Sequence, residues 1–189
     1  MKNRNSKIAM LLILAISLMS FTTLTKKTVD IEKSKVNWKG YKVTGQHQGT
    51  INIKNGTLSF DGETLTGGTF VMDMTSINTT DLEGKYKGKL DGHLKSADFF
   101  GVEKFPTALL EFINVSGKDG SYKVKANLTI KETTKTVEFS MSIKENTATA
   151  SLEIDRTEYD IKYGSSSFFD DLKDKAIYDN FDLNVSLTF

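Results

Sequence analysis

Apolar and polar residues alternate with a period of two along most of the chain. In SYKVKANLTI, residues 121–130, every second residue is apolar, and the residues between are charged, amide or hydroxyl side chains. Residues 136–143, 147–154 and 181–189 repeat this pattern. Because successive side chains of a strand point to opposite faces, each stretch predicts a strand with one dry face and one solvated face. Such one-sided strands are typical of antiparallel sheets.

The first half of the chain shows the same alternation with more interruptions. Asn55-Gly56 and Asp61-Gly62 predict tight hairpin turns, because their residues tolerate positive φ. Gly40 predicts a bulge or bend, and Pro106 predicts the start of a strand, since proline cannot donate within a ladder. The total is about eight strands joined mostly by short turns. So many one-sided strands need a shared interior, which predicts an all-β fold, either a sandwich or a closed barrel.

Two longer segments, residues 79–105 and 164–178, interrupt the strands. The first has apolar residues at helical spacing among three glycines, which predicts a short or irregular helix. Each segment contains adjacent phenylalanines, Phe99-Phe100 in the first and Phe168-Phe169 in the second. Large apolar side chains in a connection need to be shielded from water. Either the pairs pack beneath their own loops or they form a lip and lid over a cavity opening.

Residues 1–25 differ from the rest of the chain in composition. A basic start is followed by an apolar run over residues 8–19 and then by small residues. This layout is typical of a cleaved secretory signal peptide, although the pattern does not fix the cleavage site. A retained N-terminal anchor is the alternative. The remaining residues, 26–189, are long enough for one domain with a sizeable core.

Charge and motif content exclude several function classes. Residues 26–189 carry 22 basic and 24 acidic side chains with the signs interspersed, so we expect no nucleic-acid partner. The chain has no cysteine, which excludes disulfides and thiolate metal sites. No HExxH, GxSxG or phosphate-binding loop motif is present. The sequence therefore predicts a protein that is not an enzyme, with no catalytic residues, metal or cofactor.

Three single side chains allow more than one interpretation. Arg156 follows a strongly alternating strand between acidic residues. It either holds the strand end through neighbouring carboxylates or faces the polar head of a ligand at a barrel mouth. His93 either is solvated or caps a helix, or it takes part in metal binding or acid–base chemistry. Trp38, the single tryptophan, either plugs a barrel or forms part of a binding wall.

The segment GHLKSADFFGVEKFPTALLEF, residues 92–112, resembles the signature of the YceI-like family. Its pattern is leucine, serine, aspartate, Phe-Phe, then Phe-Pro-Thr and a strand. The resemblance runs from about Val29 to Phe189 and includes TGGTFVMDMTSI, LTIKETTKTVEF and IDRTEYDIKYG. It implies an extended, lipocalin-like antiparallel barrel of about eight strands, with one or two short helices near the opening. It also implies a periplasmic location, and family members enclose a long polyisoprenoid or isoprenoid-quinone-type lipid.

On that fold the inward apolar residues would line a tube for the lipid. The expected lining comprises Trp38, Phe70, Met72, Leu110, Phe112, Val124, Ala126, Leu128, Phe139, Met141, Ala150 and Leu152. The two phenylalanine pairs would form the mouth or lid, and Arg156 and His93 would contact the head group. Small interior residues beside methionines indicate a lumen that is not completely filled.

The leading functional hypothesis is a periplasmic protein that binds a long-chain isoprenoid lipid for storage or transport. Transient membrane contact and a homodimer are both compatible with it. One alternative is a filled barrel that acts as a stress-related structural or interaction protein. The other is an enzyme acting on such a lipid.

Overall fold

Nine antiparallel strands run through the part of the chain that the computed structural model describes, residues 24–189. They are β1 (Leu24–Thr28), β2 (Lys35–Lys42), β3 (Gly45–Asp61), β4 (Thr64–Thr79), β5 (Thr107–Lys118), β6 (Ser121–Ile130), β7 (Thr133–Lys144), β8 (Thr147–Asp155) and β9 (Ile177–Thr188). One α-helix, α1 (Gly84–Lys95), lies between β4 and β5. Two short 3₁₀-helices, Arg156–Tyr159 and Lys173–Lys175, lie between β8 and β9. The predicted signal peptide lies outside the described residues except for its last two positions, which belong to β1.

Eight of these strands close into a barrel. Their order is β3-β2-β9-β8-β7-β6-β5-β4, and β4 pairs back onto β3. The long strand β3 pairs with β2 along its first half and with β1 along its second half. Strand β1 therefore continues the line of β2 and extends the barrel wall. Closure leaves few free strand edges, and it confirms the predicted all-β, lipocalin-like barrel.

The alternating residues point inward as predicted. In β6 and β8 every apolar position of the pattern is buried, and the residues between are exposed or half-buried. These buried positions are Tyr122, Val124, Ala126, Leu128 and Ile130 in β6 and Ala148, Ala150, Leu152 and Ile154 in β8. One-sided burial on the eight barrel strands produces one shared core inside the barrel.

One predicted turn is wrong and three local predictions are confirmed. Strand β3 continues through Asn55 and Gly56, where a Cβ on the glycine would lie 2.7 Å from Phe70 Cδ1. Gly56 does not form a turn; it lacks a side chain and so allows β3 and β4 to pack closely. Gly62, with φ +60°, does form the β3–β4 turn, and the β2–β9 register shifts after Gly40. Pro106 immediately precedes β5.

Both interrupting segments lie at the same end of the barrel. Because neighbouring strands alternate in direction, residues 80–106 and 156–176 leave the sheet on the side where β4 and β8 end. We call this side the helical end. At the opposite end, apolar side chains close the core: the rings of Phe60 and Phe189 are 5.7 Å apart, and Leu58 and Leu65 are fully buried.

Candidate ligand-binding cavity

An apolar cavity of about 180 Å³ lies inside the barrel and extends to the helical end. Inward residues of all eight barrel strands line it, and Leu94 of α1, Phe99 and Phe100 complete the lining at the helical end. Four polar residues border it, namely Tyr41, Arg156, Tyr178 and Asn180. The side chains of Tyr41 and Asn180 bond to Asp182 and Glu153 on the outer face of the sheet. A site of this composition suits a ligand with a long apolar part and a small polar part.

The structure brings ten of the twelve predicted lining residues to the cavity. They are Trp38, Phe70, Met72, Leu110, Phe112, Leu128, Phe139, Met141, Ala150 and Leu152. Several of them, such as Met72 and Leu110, point inward yet are only partly buried. Their remaining exposed surface faces the cavity, so the lumen is not completely filled in this region.

Val124 and Ala126 are buried but do not line the cavity. Both belong to β6, between β5 and β7. The rings of Phe112 on β5 and Phe139 on β7 meet at 5.8 Å, and these residues are the register partners of Ala126 and Val124. Because the two large rings meet across β6, they cover the small side chains between them. The alternation predicts that both residues point inward but not that neighbouring rings cover them.

Trp38 forms part of the wall and is not a plug. Its ring lies against Gly49 of β3, where a Cβ would be 2.5 Å from Trp38 Cζ2. Its Nε1 donates a hydrogen bond to the Thr50 carbonyl oxygen at 3.2 Å. The indole is therefore fixed along the neighbouring strand, with part of its surface on the cavity.

The first phenylalanine pair both packs beneath its loop and lines the cavity. Phe99 is buried, and its ring contacts those of His93 and Phe100 at 5.4 and 5.1 Å. Gly101, with φ +58°, turns the loop after the pair, and its N–H donates to the Ser96 carbonyl. Phe99 and Phe100 therefore do both things that the sequence allows: they pack beneath their own loop and they line the cavity.

The second phenylalanine pair is placed differently. Phe168 and Phe169 lie at the helical end, but each is 50% exposed and neither lines the cavity. They do not pack beneath their own loop. The sequence predicts one role for both pairs, and the structure separates them, because Phe99 and Phe100 line the cavity whereas Phe168 and Phe169 stay on the surface.

Arg156 is buried at the helical end, with 2% of its surface exposed. Its Nε, Nη1 and Nη2 donate to the carbonyl oxygens of Tyr178, Ile161 and Ile177 at 3.1, 2.6 and 3.0 Å. Asp179 Oδ1 lies 3.5 Å from Nη2. Burial lowers the pKa of the guanidinium, and the charges of Asp179 and Asp155 act in the opposite direction. These hydrogen bonds use three of the five guanidinium N–H groups, and Arg156 also borders the cavity.

His93 does not line the cavity. Its ring contacts Phe99 and Tyr163, with centroids 5.4 and 4.4 Å apart. Its Nε2 is buried and has no hydrogen-bond partner among the described residues. Burial lowers the pKa of His93, Asp98 acts in the opposite direction, and the charge of Arg156 lowers the pKa further. The imidazole therefore lies behind the cavity wall, where burial disfavours its charged form, and not at the predicted head-group contact.

Helix α1 rests on the barrel through Leu94, which packs against the core, and through polar contacts. Lys87 Nζ donates to Asn78 Oδ1 and also pairs with Asp91, whose carboxylate accepts the Thr79 N–H at 2.8 Å. No residue of the helix is buried. None of the helices in residues 24–189 has the length and apolar character needed to span a bilayer. The same residues contain no cluster of three or more potential metal ligands.

Comparison with known proteins agrees with this architecture. A family model described as YceI-like domain matches residues 28–189. The chain belongs to the YceI-like family. Among curated proteins, UPF0312 proteins are similar: one of Vibrio cholerae is 30% identical over 104 residues, 54% of this chain and 51% of that protein. One of Pseudomonas aeruginosa is 32% identical over 89 residues, 47% of this chain and 44% of that protein. The chain thus spans about half the length of these relatives.

Solved structures share the barrel. Burkholderia cenocepacia BcnA has a TM-score of 0.68 and 21% identity, over 85% of this chain and 99% of that chain. A polyisoprenoid binding domain from Saccharophagus degradans, implicated in plant cell wall breakdown, has a TM-score of 0.59 and 14% identity. That likeness covers 87% of this chain and 97% of that chain. At such identities the likeness concerns the fold.

Proposed function

We propose that this YceI-like protein is a periplasmic binding protein that encloses a long-chain isoprenoid lipid for storage or transport. The observation that carries the proposal is the apolar cavity, which receives side chains from all eight barrel strands and is closed by packed core at one end. The similar fold of a polyisoprenoid binding domain supports the ligand class. The N-terminal signal-peptide pattern supports export.

The lining favours an apolar chain over a polar ligand. Transfer of apolar surface out of water contributes roughly 25 cal/mol per Å², so each added isoprene unit strengthens binding while the cavity accommodates it. Apolar walls make no directional contacts and discriminate weakly between tails. Chain length, rather than tail chemistry, should therefore determine affinity.

The polar lining groups are candidates for recognition of the head group. Arg156 borders the helical-end part of the cavity, beside Tyr178, whose carbonyl oxygen accepts a hydrogen bond from Arg156 Nε. Three of the five guanidinium N–H groups of Arg156 donate to carbonyl oxygens, and the other two make no hydrogen bond among the described residues. In this arrangement a head group lies at the mouth while the tail enters the barrel. We assign no chemical step to these groups.

Trp38 provides a direct assay, because it is the single tryptophan of the chain and lines the cavity. Isoprenoid quinones that share one head group but differ in tail length are titrated into the purified protein while tryptophan fluorescence is recorded. We expect saturable quenching, with affinity rising about tenfold or more per isoprene unit at first. No saturable quenching at any tail length would contradict the proposal.

A matched pair of variants tests whether the cavity is the binding site. Ala150 lines the cavity, and its neighbour Thr149 points outward on the same strand. Ala150→Phe should fill the lumen and abolish quenching, whereas Thr149→Phe should bind as the wild type does. Equal binding by both variants, with both folded by circular dichroism, would place the ligand elsewhere.

A further inference from the structure

Exposed apolar side chains concentrate at the helical end of the barrel. Among the described residues, nine large apolar or aromatic side chains are exposed, and six of them lie at this end. Five of the six belong to residues 160–178 and the adjoining β2–β3 turn. We call these five the aromatic lip: Val43, Tyr163, Phe168, Phe169 and Tyr178.

The aromatic lip is held together by backbone hydrogen bonds. Val43 N–H donates to the Ala176 carbonyl at 3.1 Å, and Ile177 N–H donates to the Gly164 carbonyl at 2.8 Å. The N–H groups of Phe168 and Phe169 both donate to the Ser165 carbonyl. The β2–β3 turn and the connection before β9 therefore form one surface. The backbone hydrogen bonds of the loop hold Phe168 and Phe169 in exposed positions.

This surface is continuous with the cavity. Tyr178 is 55% exposed and also lines the cavity. Tyr163 contacts His93, which in turn contacts the cavity-lining Phe99. The aromatic lip therefore adjoins the cavity wall at Tyr178 and, through His93, at Phe99.

The charge around the aromatic lip is balanced. Residues 80–106 and 156–176, the two long connections of the helical end, carry nine basic and ten acidic side chains. Such a surface has no net attraction for an anionic polymer or an anionic bilayer. Half-exposed aromatic side chains, two of which are tyrosines with a polar hydroxyl, instead suit the interface of a zwitterionic bilayer, where rings enter the boundary between head groups and tails.

Resting on the proposed function, we infer that the aromatic lip docks the helical end onto a zwitterionic lipid bilayer, so that cargo passes between membrane and cavity without crossing water. Phe168 and Phe169 insert most deeply, because they are adjacent, large and free of contact with the cavity. The partner is the membrane surface, and the hydrophobic effect drives the docking.

Vesicle flotation tests the inference with the purified protein and vesicles of phosphatidylcholine and phosphatidylethanolamine. We expect the wild type to float with the vesicles equally at low and high salt. Phe168→Ser/Phe169→Ser should lower the partition coefficient about tenfold or more. Ile113→Ser is the matched control, since Ile113 is also 50% exposed but lies on β5, and it should change binding less than about twofold.

Three results would overturn the inference. The wild type could fail to float, the double variant could float as the wild type does, or binding could require anionic lipid and be lost at high salt. Light scattering adds a fourth: a dimer that Phe168→Ser/Phe169→Ser dissociates would assign the aromatic lip to a second copy of the chain.

Quinone quenching of Trp38, with the quinone delivered from detergent, separates this inference from the proposed function. Normal quenching in the double variant together with lost flotation supports docking as a distinct step. Normal quenching in a wild type that never floats overturns docking and leaves the cargo assignment intact. Phenylalanine-dependent flotation without quenching supports the docking surface and contradicts the cargo assignment.

Discussion

Arg156 supplies the hydrogen bonds that β9 lacks where β8 ends. Strand β8 ends at Asp155, opposite Asn180, so residues 177–179 have no β8 partner. The guanidinium donates to the carbonyls of Ile177 and Tyr178 in place of a strand. A buried carbonyl without a partner is costly, which explains why a charged side chain is retained beneath the helical end.

Replacement of this guanidinium should therefore destabilise the barrel. Arg156→Lys keeps the charge but cannot reach three carbonyls at once, and we expect the free energy of unfolding to fall by about 2–3 kcal/mol. Urea denaturation measures the change. Lys162→Met, at an exposed lysine in the same connection, is the control and should change stability by less than about 0.5 kcal/mol. An equally small effect of Arg156→Lys would show that the carbonyl contacts contribute little.

His93 should make stability depend on mildly acidic pH. Its pKa is lowered in the folded protein, chiefly by burial, whereas the unfolded chain has the ordinary histidine value of about 6.5. Below pH 6.5 the unfolded state therefore binds the proton more readily, and stability falls until the pH reaches the folded pKa. Unfolding curves between pH 7.5 and 5 measure this effect.

The variant His93→Gln distinguishes the contribution of the histidine to the pH dependence of stability from that of the carboxylates. It should remove most of the slope between pH 6.5 and 5. The carboxylates with lowered pKa, such as Asp91, lose their contribution only below their ordinary range near pH 4. Burial raises the pKa of Asp91, but the hydrogen bonds from Lys87 and Thr79 lower it by more. A slope that persists in His93→Gln would contradict the assignment.

At the scale of the element, period-two alternation predicts most strands correctly. It succeeds because one face of each strand meets the shared core, so burial and sequence pattern have the same period. The Asn55-Gly56 prediction is wrong because a dipeptide that favours turns can also lie within a strand that pairs on both sides. Close contact with Phe70 requires a glycine at position 56 just as a turn would. Only the neighbouring strand distinguishes the two cases.

Helix α1 combines weak intrinsic stability with contacts at the cavity end. Gly88 and Gly92 have no atom within 4 Å of a built Cβ, so packing does not require glycine at either position. Gly88→Ala and Gly92→Ala should each stabilise the helix by about 0.5–1 kcal/mol. Hydrogen exchange should show stronger amide protection of α1 in the double variant.

The same pair of substitutions tests whether α1 moves during cargo exchange. If the helix opens locally to admit a ligand, the double variant should release quinone more slowly at similar affinity. Gly62→Ala is the control, because its φ of +60° makes the change unfavourable in a turn at the opposite end. Stronger protection of α1 with unchanged release would show that cargo enters by another path.

At the scale of the whole molecule, the pattern predicts a closed barrel but not which part of it is hollow. Inward residues look alike in sequence whether they meet a cavity or another side chain, as Leu128 and Val124 on one strand illustrate. The outcome depends on rings from neighbouring strands, which meet across β6 and leave the helical-end half open. The different roles of the two phenylalanine pairs likewise depend on how each connection folds over that end.

The central claim is that the barrel cavity carries a long apolar lipid, and native mass spectrometry of gently purified protein from its own host tests it most directly. We predict an adduct of several hundred daltons that organic extraction releases and that the Ala150→Phe variant lacks. A wild-type protein that repeatedly shows the bare chain mass, and that takes up no isoprenoid quinone afterwards, would contradict the claim.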